Sequence, residues 1–152
     1  GKLYLEGQYL PFNIYKGIDL ITKAADNDNL TAKAALGAIY YEGQFVIRNI
    51  DDAINYLKEP SQFHDNFALY TLGKIYYDGI EVKRDVSKSL KFLKIASDLN
   101  DSYASYLIAK IYIEGKFVPK NVSLGLLYLR KSADLYNSSA LKALLSLNLE
   151  MI

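Results

Sequence analysis

The 152-residue chain has no cysteine. That excludes a disulfide framework, a thiolate nucleophile and a Cys-ligated zinc site. It leaves the compartment open, because a chain that builds a sufficient core needs no staples. There is a single histidine, His64. A catalytic imidazole needs a nucleophile and an orienting acid, and a metal site needs further ligands, so His64 beside Asp65 reads as a loop residue. Charge of one sign is lacking too: 18 basic residues face 17 acidic ones, for a net charge of +1. No global field draws the chain to nucleic acid or to an anionic membrane. A membrane-spanning helix takes roughly 20 nearly uninterrupted apolar residues. The most apolar stretch, Leu141 to Ile152, is broken by Lys142, Asn148 and Glu150. The residues therefore predict no metal, no cofactor, no catalytic constellation, no nucleic acid and no direct membrane insertion. Proline is scarce, and Pro60 is predicted to end its helix near Lys58, leaving Glu59 to Asn66 as an irregular corner.

What is present is a repeat. The dipeptides Glu6-Gly7, Glu42-Gly43, Asp78-Gly79 and Glu114-Gly115 recur every 36 residues, and other columns keep that register. Tyr4, Tyr40, Tyr76 and Tyr112 precede the glycines; Leu10, Val46, Val82 and Val118 follow them. Asn13, Asn49, Asp85 and Asn121 form a further column, as do Ala32, Ala68, Ala104 and Ala140. The acidic column is read as structural, tying a helix end to a loop, and the tyrosine column as core with its hydroxyls at an edge. Between columns the apolar residues Ala68, Leu72, Ile75 and Tyr76 recur at spacings of three and four, the mark of an amphipathic helix. The glycine suits a left-handed C-terminal cap. Asp85 is placed to cap a second helix running to about Leu99.

Each unit is thus helix, loop, helix, and a single pair cannot bury its own apolar stripe, so neighbours stack into a continuous core. The expected fold is all-α, a right-handed superhelical α/α solenoid of 36-residue helix-pair repeats. A partial repeat covers residues 1–30, repeats follow at about 31–65, 66–100 and 101–136, and a final helix covers 137–151. The partial repeat is read as the end of a first helix, a loop at Gly7, and a partner helix from Tyr15 to about Asp26. Because it opens at Gly1 inside a repeat, the chain reads as a fragment of a longer protein, and the exposed ends of such an array allow a homodimer.

The columns resemble the Sel1-like repeat family, relatives of tetratricopeptide repeats with a longer inter-helix loop. The pattern appears as Ala68, Leu72-Gly73, Tyr76, Gly79, Val82 and Ala96, and recurs as Ala32, Leu36-Gly37, Tyr40, Gly43 and Val46. Two departures stand out. The second loop glycine of many members is replaced by Tyr9, Phe45, Glu81 and Phe117, and the Leu-Gly glycine by Ala109 and Leu145. The first predicts stiffer, more apolar loops, and the second predicts shifted packing.

The resemblance implies a non-catalytic adaptor whose first helices line a concave wall. Helical spacing selects its surface stripe: Ala34, Ala38 and Tyr41; Tyr70, Lys74 and Tyr77; Tyr106, Lys110 and Ile113. Lys2 and Leu5 precede these, and Lys142, Ser146 and Leu149 follow. Tyrosines beside lysines suit a protein partner, aromatics anchoring and lysines steering. Four Asn-x-Ser/Thr sequons, at Asn29, Asn100, Asn121 and Asn137, mark candidate N-glycosylation sites and tilt the compartment toward the secretory pathway. In this family that implies a luminal adaptor of endoplasmic-reticulum-associated degradation. The alternative is a cytosolic or bacterial cell-envelope scaffold for signalling or virulence complexes. A helical RNA-binding array is a distant third, since it needs a basic groove and repeated base-reading residues.

Overall fold

The structure, a computed structural model, describes the backbone of residues 2–43 and 46–151 and the side chains of residues 14–43 and 46–147. Among the described residues there are eight helices and no strand. They are α1 (Lys2–Asp26), α2 (Leu30–Glu42), α3 (Ile50–Gln62), α4 (Asn66–Asp78), α5 (Val86–Asp98), α6 (Ser102–Glu114), α7 (Val122–Asp134) and α8 (Ser138–Met151). The chain divides into two units, residues 1–68 and 69–152.

Two kinds of corner join the helices. Within a pair the corner begins at a left-handed glycine: Gly43, Gly79 and Gly115 have φ of 64, 63 and 60°. Their N–H groups bond the Ile39, Ile75 and Ile111 carbonyls, which the helix itself leaves unsatisfied. A second bond closes the corner from the far side, as the Asn49, Asp85 and Asn121 N–H groups donate to the Tyr40, Tyr76 and Tyr112 carbonyls at 2.9–3.1 Å. The side chains of those same residues then cap the second helix, accepting from the Asp52, Lys88 and Leu124 N–H groups.

Between pairs the corner is also left-handed, and without glycine. Asp28, His64, Asn100 and Tyr136, spaced by 36, have φ of 65, 60, 66 and 64°. The next residue in each case, Asn29, Asp65, Asp101 or Asn137, caps the following helix by accepting from the N–H of Ala32, Ala68, Ala104 or Ala140. The alanine column is therefore the third residue of each first helix, small where the cap folds over it.

This geometry corrects the expectation at Pro60. The residue is buried inside α3, which runs to Gln62 and has the same 13 residues as α5. A proline so near the helix end forfeits only the bond to the Tyr56 carbonyl. Its own carbonyl accepts from the Asp65 N–H at 3.0 Å, just as the Ala96 carbonyl accepts from Asp101. The corner at 63–65 is consequently regular. The loop expected at Gly7 is also absent: α1 is one helix through Gly7 and Pro11.

In unit 1 the core joins Ala25, Ala32 and Leu36 with Ile18, Ile21 and Ile39 and the stacked rings of Tyr40 and Tyr56, 5.7 Å apart. In unit 2 one cluster holds Leu69, Leu90, Leu93, Ile108 and Ile111, and a second holds Ala109, Leu129, Ala133 and Ala140. Tyr76 stacks on Phe92 at 6.1 Å. Tyr40, Tyr76 and Tyr112 are half-buried, and the partners of the first two, Tyr56 and Phe92, form with Tyr128 an aromatic column at the same period.

First and second helices of a pair approach closely through small residues. A Cβ on Gly37 would fall 2.4 Å from Leu57 Cγ, and one on Gly73 2.6 Å from Leu93 Cγ. Where α6 has Ala109 in that column, the facing helix supplies the glycine: a Cβ on Gly125 would fall 3.1 Å from the Ala109 carbonyl oxygen. Its counterpart in the preceding pair is Ser89, whose hydroxyl donates to the Gly73 carbonyl at 2.6 Å. The expected shift at Ala109 is met by moving the small residue across the interface.

Candidate interaction surface

The first-helix stripe differs between the two units. In unit 1, Ala34 is 1% exposed and Tyr41 only 6%, with the Arg48 guanidinium 5.1 Å above the Tyr41 ring. Tyr41, expected on the open wall, is a buried residue. Lys2, Leu5 and Leu149 lie outside the residues whose side chains are described.

In unit 2 the stripe is open. Lys74 and Lys110 are exposed, and Tyr70, Tyr77, Tyr106 and Ile113 are half-buried against the core. Tyr70 lies 6.0 Å from the Tyr103 ring, and Tyr77 meets Phe117 edge-on at 5.9 Å. Arg84 braces this end of the stripe. Its Nε donates to the Tyr77 carbonyl at 2.8 Å and its Nη2 to the Asp78 carbonyl at 3.1 Å, which caps α4. Its plane then lies 4.2 Å from the centre of the Phe117 ring, worth about 0.5–1 kcal/mol at an exposed site. Phe117 stands at one of the positions where a loop glycine was expected. Glu81, at another, adopts φ of 62° without being glycine.

Burial raises the Tyr70 hydroxyl above its ordinary pKa, and the nearby Asp101 and Asp78 carboxylates add to the shift. Burial raises Tyr77 as well, with Glu114 adding and Arg84 opposing. Both tyrosines stay neutral hydrogen-bonding groups at physiological pH. A groove of about 300 Å³ lies among Tyr106, Lys110, Ile113 and Glu114 of α6, Leu129 of α7, and Ala143, Ser146 and Leu147 of α8. Four of these eight residues, Tyr106, Lys110, Ile113 and Ser146, belong to the stripe selected by helical spacing.

The sequons occupy structural positions. Asn29 and Asn121 are exposed helix caps, and Asn100 is the exposed left-handed residue of its corner. Asn137 is 7% exposed, its Oδ1 accepting from the Ala140 N–H and its Nδ2 donating to Ser102 Oγ at 3.5 Å. That Nδ2, the atom a glycan would occupy, faces protein. Asn137 is thus removed from the accessible sequons. His64 is exposed at its corner, and among the described residues no three His, Cys, Asp or Glu side chains converge as a metal site.

Helix pairs packed through small residues and joined by two repeating kinds of corner define an all-α helical-repeat protein. The Sel1 repeat profile matches residues 1–29, 31–59, 66–101 and 102–137. The chain belongs to the Sel1 repeat family. A Sel1 repeat protein from Oxalobacter formigenes shares the fold with a TM-score of 0.74 and 26% identity over 82% of this chain and 51% of its own. A protective antigen present in uropathogenic Escherichia coli strains, displaying an SLR fold, aligns at TM-score 0.69 and 26% identity over 81% of this chain and 26% of its own. Helicobacter pylori cysteine rich protein B, at 21% identity, TM-score 0.65 and 90% and 98% coverage, shares the fold. The chain therefore spans about half the length of the first of these and a quarter of the second. No curated protein sequence matches it significantly.

Proposed function

We propose that the chain is a non-catalytic scaffold that binds protein partners on the first-helix face of unit 2, through Tyr70, Lys74, Tyr77, Tyr106, Lys110 and Ile113. One observation carries this reading: where unit 1 has Ala34 and Ala38, unit 2 has Tyr70 with Lys74 and Tyr106 with Lys110, rings partly open to solvent beside exposed lysines that enter no ion pair found among the described residues. The rings pack on the core along one side and leave the other side to solvent, where a partner can cover it. Exposure of aromatic area at low entropic cost suits a protein partner better than a solvated helix face.

Two settings are in play. The three exposed sequons favour a secretory-pathway protein, in this family a luminal adaptor of endoplasmic-reticulum-associated degradation. Their service as caps and corner residues supplies a structural reason for the same asparagines. The bacterial origin of the similar structures, together with the loss of Asn137, favours a bacterial scaffold that assembles envelope or virulence complexes, and this is the reading we prefer. Among the described residues no helix is long and apolar enough to cross a membrane.

The test is capture of partners from the native lysate by the chain and by Lys74→Glu with Lys110→Glu, both at exposed positions. Loss of capture with unchanged circular dichroism supports the surface. Undiminished capture removes it. Tyr70→Ala with Tyr77→Ala is a weaker probe, because both rings also pack on the core. A parallel RNA titration separates the nucleic-acid alternative.

A further inference from the structure

The groove beside the stripe carries a preference in partner chemistry. It opens because α8 has Ala143 and Ser146 where α6, 36 residues earlier, has Leu107 and Lys110. Its floor and walls are the Tyr106 ring, Ile113, Leu129 and Leu147. About 300 Å³ is the low end for ligand pockets, room for one large apolar side chain whose backbone stays outside. Three lysines on the same face, Lys74, Lys110 and Lys142, are exposed, and none enters the ion pairs found among the described residues. Lys110 leans toward Tyr106, its Nζ 6.0 Å from the ring centre, and so turns away from Glu114 one helical turn on. Glu114, exposed at the end of α6, also lines the groove beyond Ile113, so the rim is cationic at Lys110 and anionic at Glu114.

We infer that the groove takes a large apolar side chain from a partner protein segment, with Asp or Glu residues next to it in sequence set against Lys110 and Lys142. This rests on the scaffold reading above and adds the chemistry of the partner. Lysines on three successive first helices call for several carboxylates along a segment. Acidic side chains supply these, and a single chain terminus does not. Opposite charge on the rim sets register and approach, while the apolar anchor supplies affinity.

The test is selection of a random 12-residue peptide display library on the whole chain. Enriched peptides should carry an aliphatic or aromatic residue within a few positions of Asp or Glu. Affinity of a selected peptide, synthesised with an amidated C-terminus, should fall at least tenfold in Lys110→Glu with Lys142→Glu. This variant is to be checked for unchanged thermal unfolding. Selection repeated on the Lys110→Glu, Lys142→Glu chain should lose its acidic bias. Peptides without acidic bias, binding that needs a free C-terminus, affinity indifferent to the lysine reversal, or occupation of the groove by a second copy in sedimentation would each overturn the inference. If Lys74→Glu with Lys110→Glu abolishes partner capture while peptides show no acidic bias, the scaffold reading stands and this inference falls. If capture is also unaffected, both fall.

Discussion

The corner between α4 and α5 contains two left-handed residues, Gly79 at φ 63° and Glu81 at φ 62°, and they predict opposite responses to substitution. A side chain on Gly79 meets two obstacles. The left-handed backbone costs an L-residue about 1–2 kcal/mol. Its Cβ would also fall 2.7 Å from Arg84 Cβ and 3.2 Å from the Arg84 backbone nitrogen. Arg84 cannot retreat freely, because its Nε is bonded to the Tyr77 carbonyl and its plane rests on Phe117. Overpacking of this kind costs about 1–3 kcal/mol. Reduced freedom of the unfolded chain returns about 0.4–1 kcal/mol. Gly79→Ala should therefore lose roughly 2–4 kcal/mol. For a domain of this size that is a fall in melting temperature of roughly 6–12 °C.

Glu81→Gly reverses the sign. It relieves the same backbone cost and gives up the unfolded-state term, for a net gain of about 0.5–1 kcal/mol. Gly79→Asn tests the division, since asparagine tolerates the left-handed region but still brings a Cβ to Arg84. It should fall between wild type and Gly79→Ala. Urea unfolding followed by circular dichroism measures all three, with equal m-values required for the comparison. A Gly79→Ala chain within about 0.5 kcal/mol of wild type would mean that this corner is not held as described.

Further outcomes follow from other parts of the structure. Gly73→Ala should cost roughly 1–2 kcal/mol despite a helix-propensity gain of about 1 kcal/mol, because the fully buried Leu93 stands in the way; a more stable variant in urea unfolding would contradict that packing. Asn137→Ala should lose about 1–2 kcal/mol through its cap, and expression through a eukaryotic secretory pathway should add glycan mass only at Asn29, Asn100 or Asn121, so that Asn137→Gln leaves the mass distribution unchanged. Tyr70 has a folded-state pKa above its ordinary 10.0, so the unfolded chain loses its proton first and stability falls as pH rises above about 10. Tyr70→Phe should flatten that alkaline decline in ellipticity, and an unchanged slope would count against the burial assigned to the ring.

Side-chain identity made the regular parts of the fold readable. Gly43, Gly79 and Gly115 announce their corners because a left-handed cap favours one residue type, and Asn49, Asp85 and Asn121 announce theirs because capping needs a short acceptor. The inter-pair corner escaped notice for the opposite reason. Asp28, His64, Asn100 and Tyr136 share a backbone conformation and no chemistry, so the column shows no common letter. The column of Tyr56, Phe92 and Tyr128 was visible in principle, at the same period as the tyrosine column. Pro60 departs from the general rule about helix interiors because it stands in a last turn, where a single bond is lost. The candidate surface was only half legible. Spacing placed Tyr41 and Tyr70 on one face, but spacing does not say whether a ring there is covered. In unit 1 Arg48 lies over Tyr41. In the corresponding corner of unit 2, Arg84 turns to Phe117 and leaves Tyr77 edge-on.

That difference bears on where recognition can reside. Residues 1–68 carry six basic and nine acidic residues, and residues 69–152 carry twelve and eight. Several cations of unit 2 already have structural work: Arg84 caps α4, Lys88 and Lys94 lie over the Tyr76 and Tyr112 rings, and Lys131 pairs with Asp98 at 4.0 Å. Removing any of these would disturb packing and binding together. Lys74 and Lys142 have no such duty in the structure, and Lys110 makes only a loose approach to Tyr106. A repeat protein keeps its seam by holding the same residues in every pair, so selectivity must be written in the positions that packing leaves free. In this chain those positions gather apolar area and positive charge on one side of α4, α6 and α8, and charge reversal there should change partner choice while leaving the melting temperature where it was.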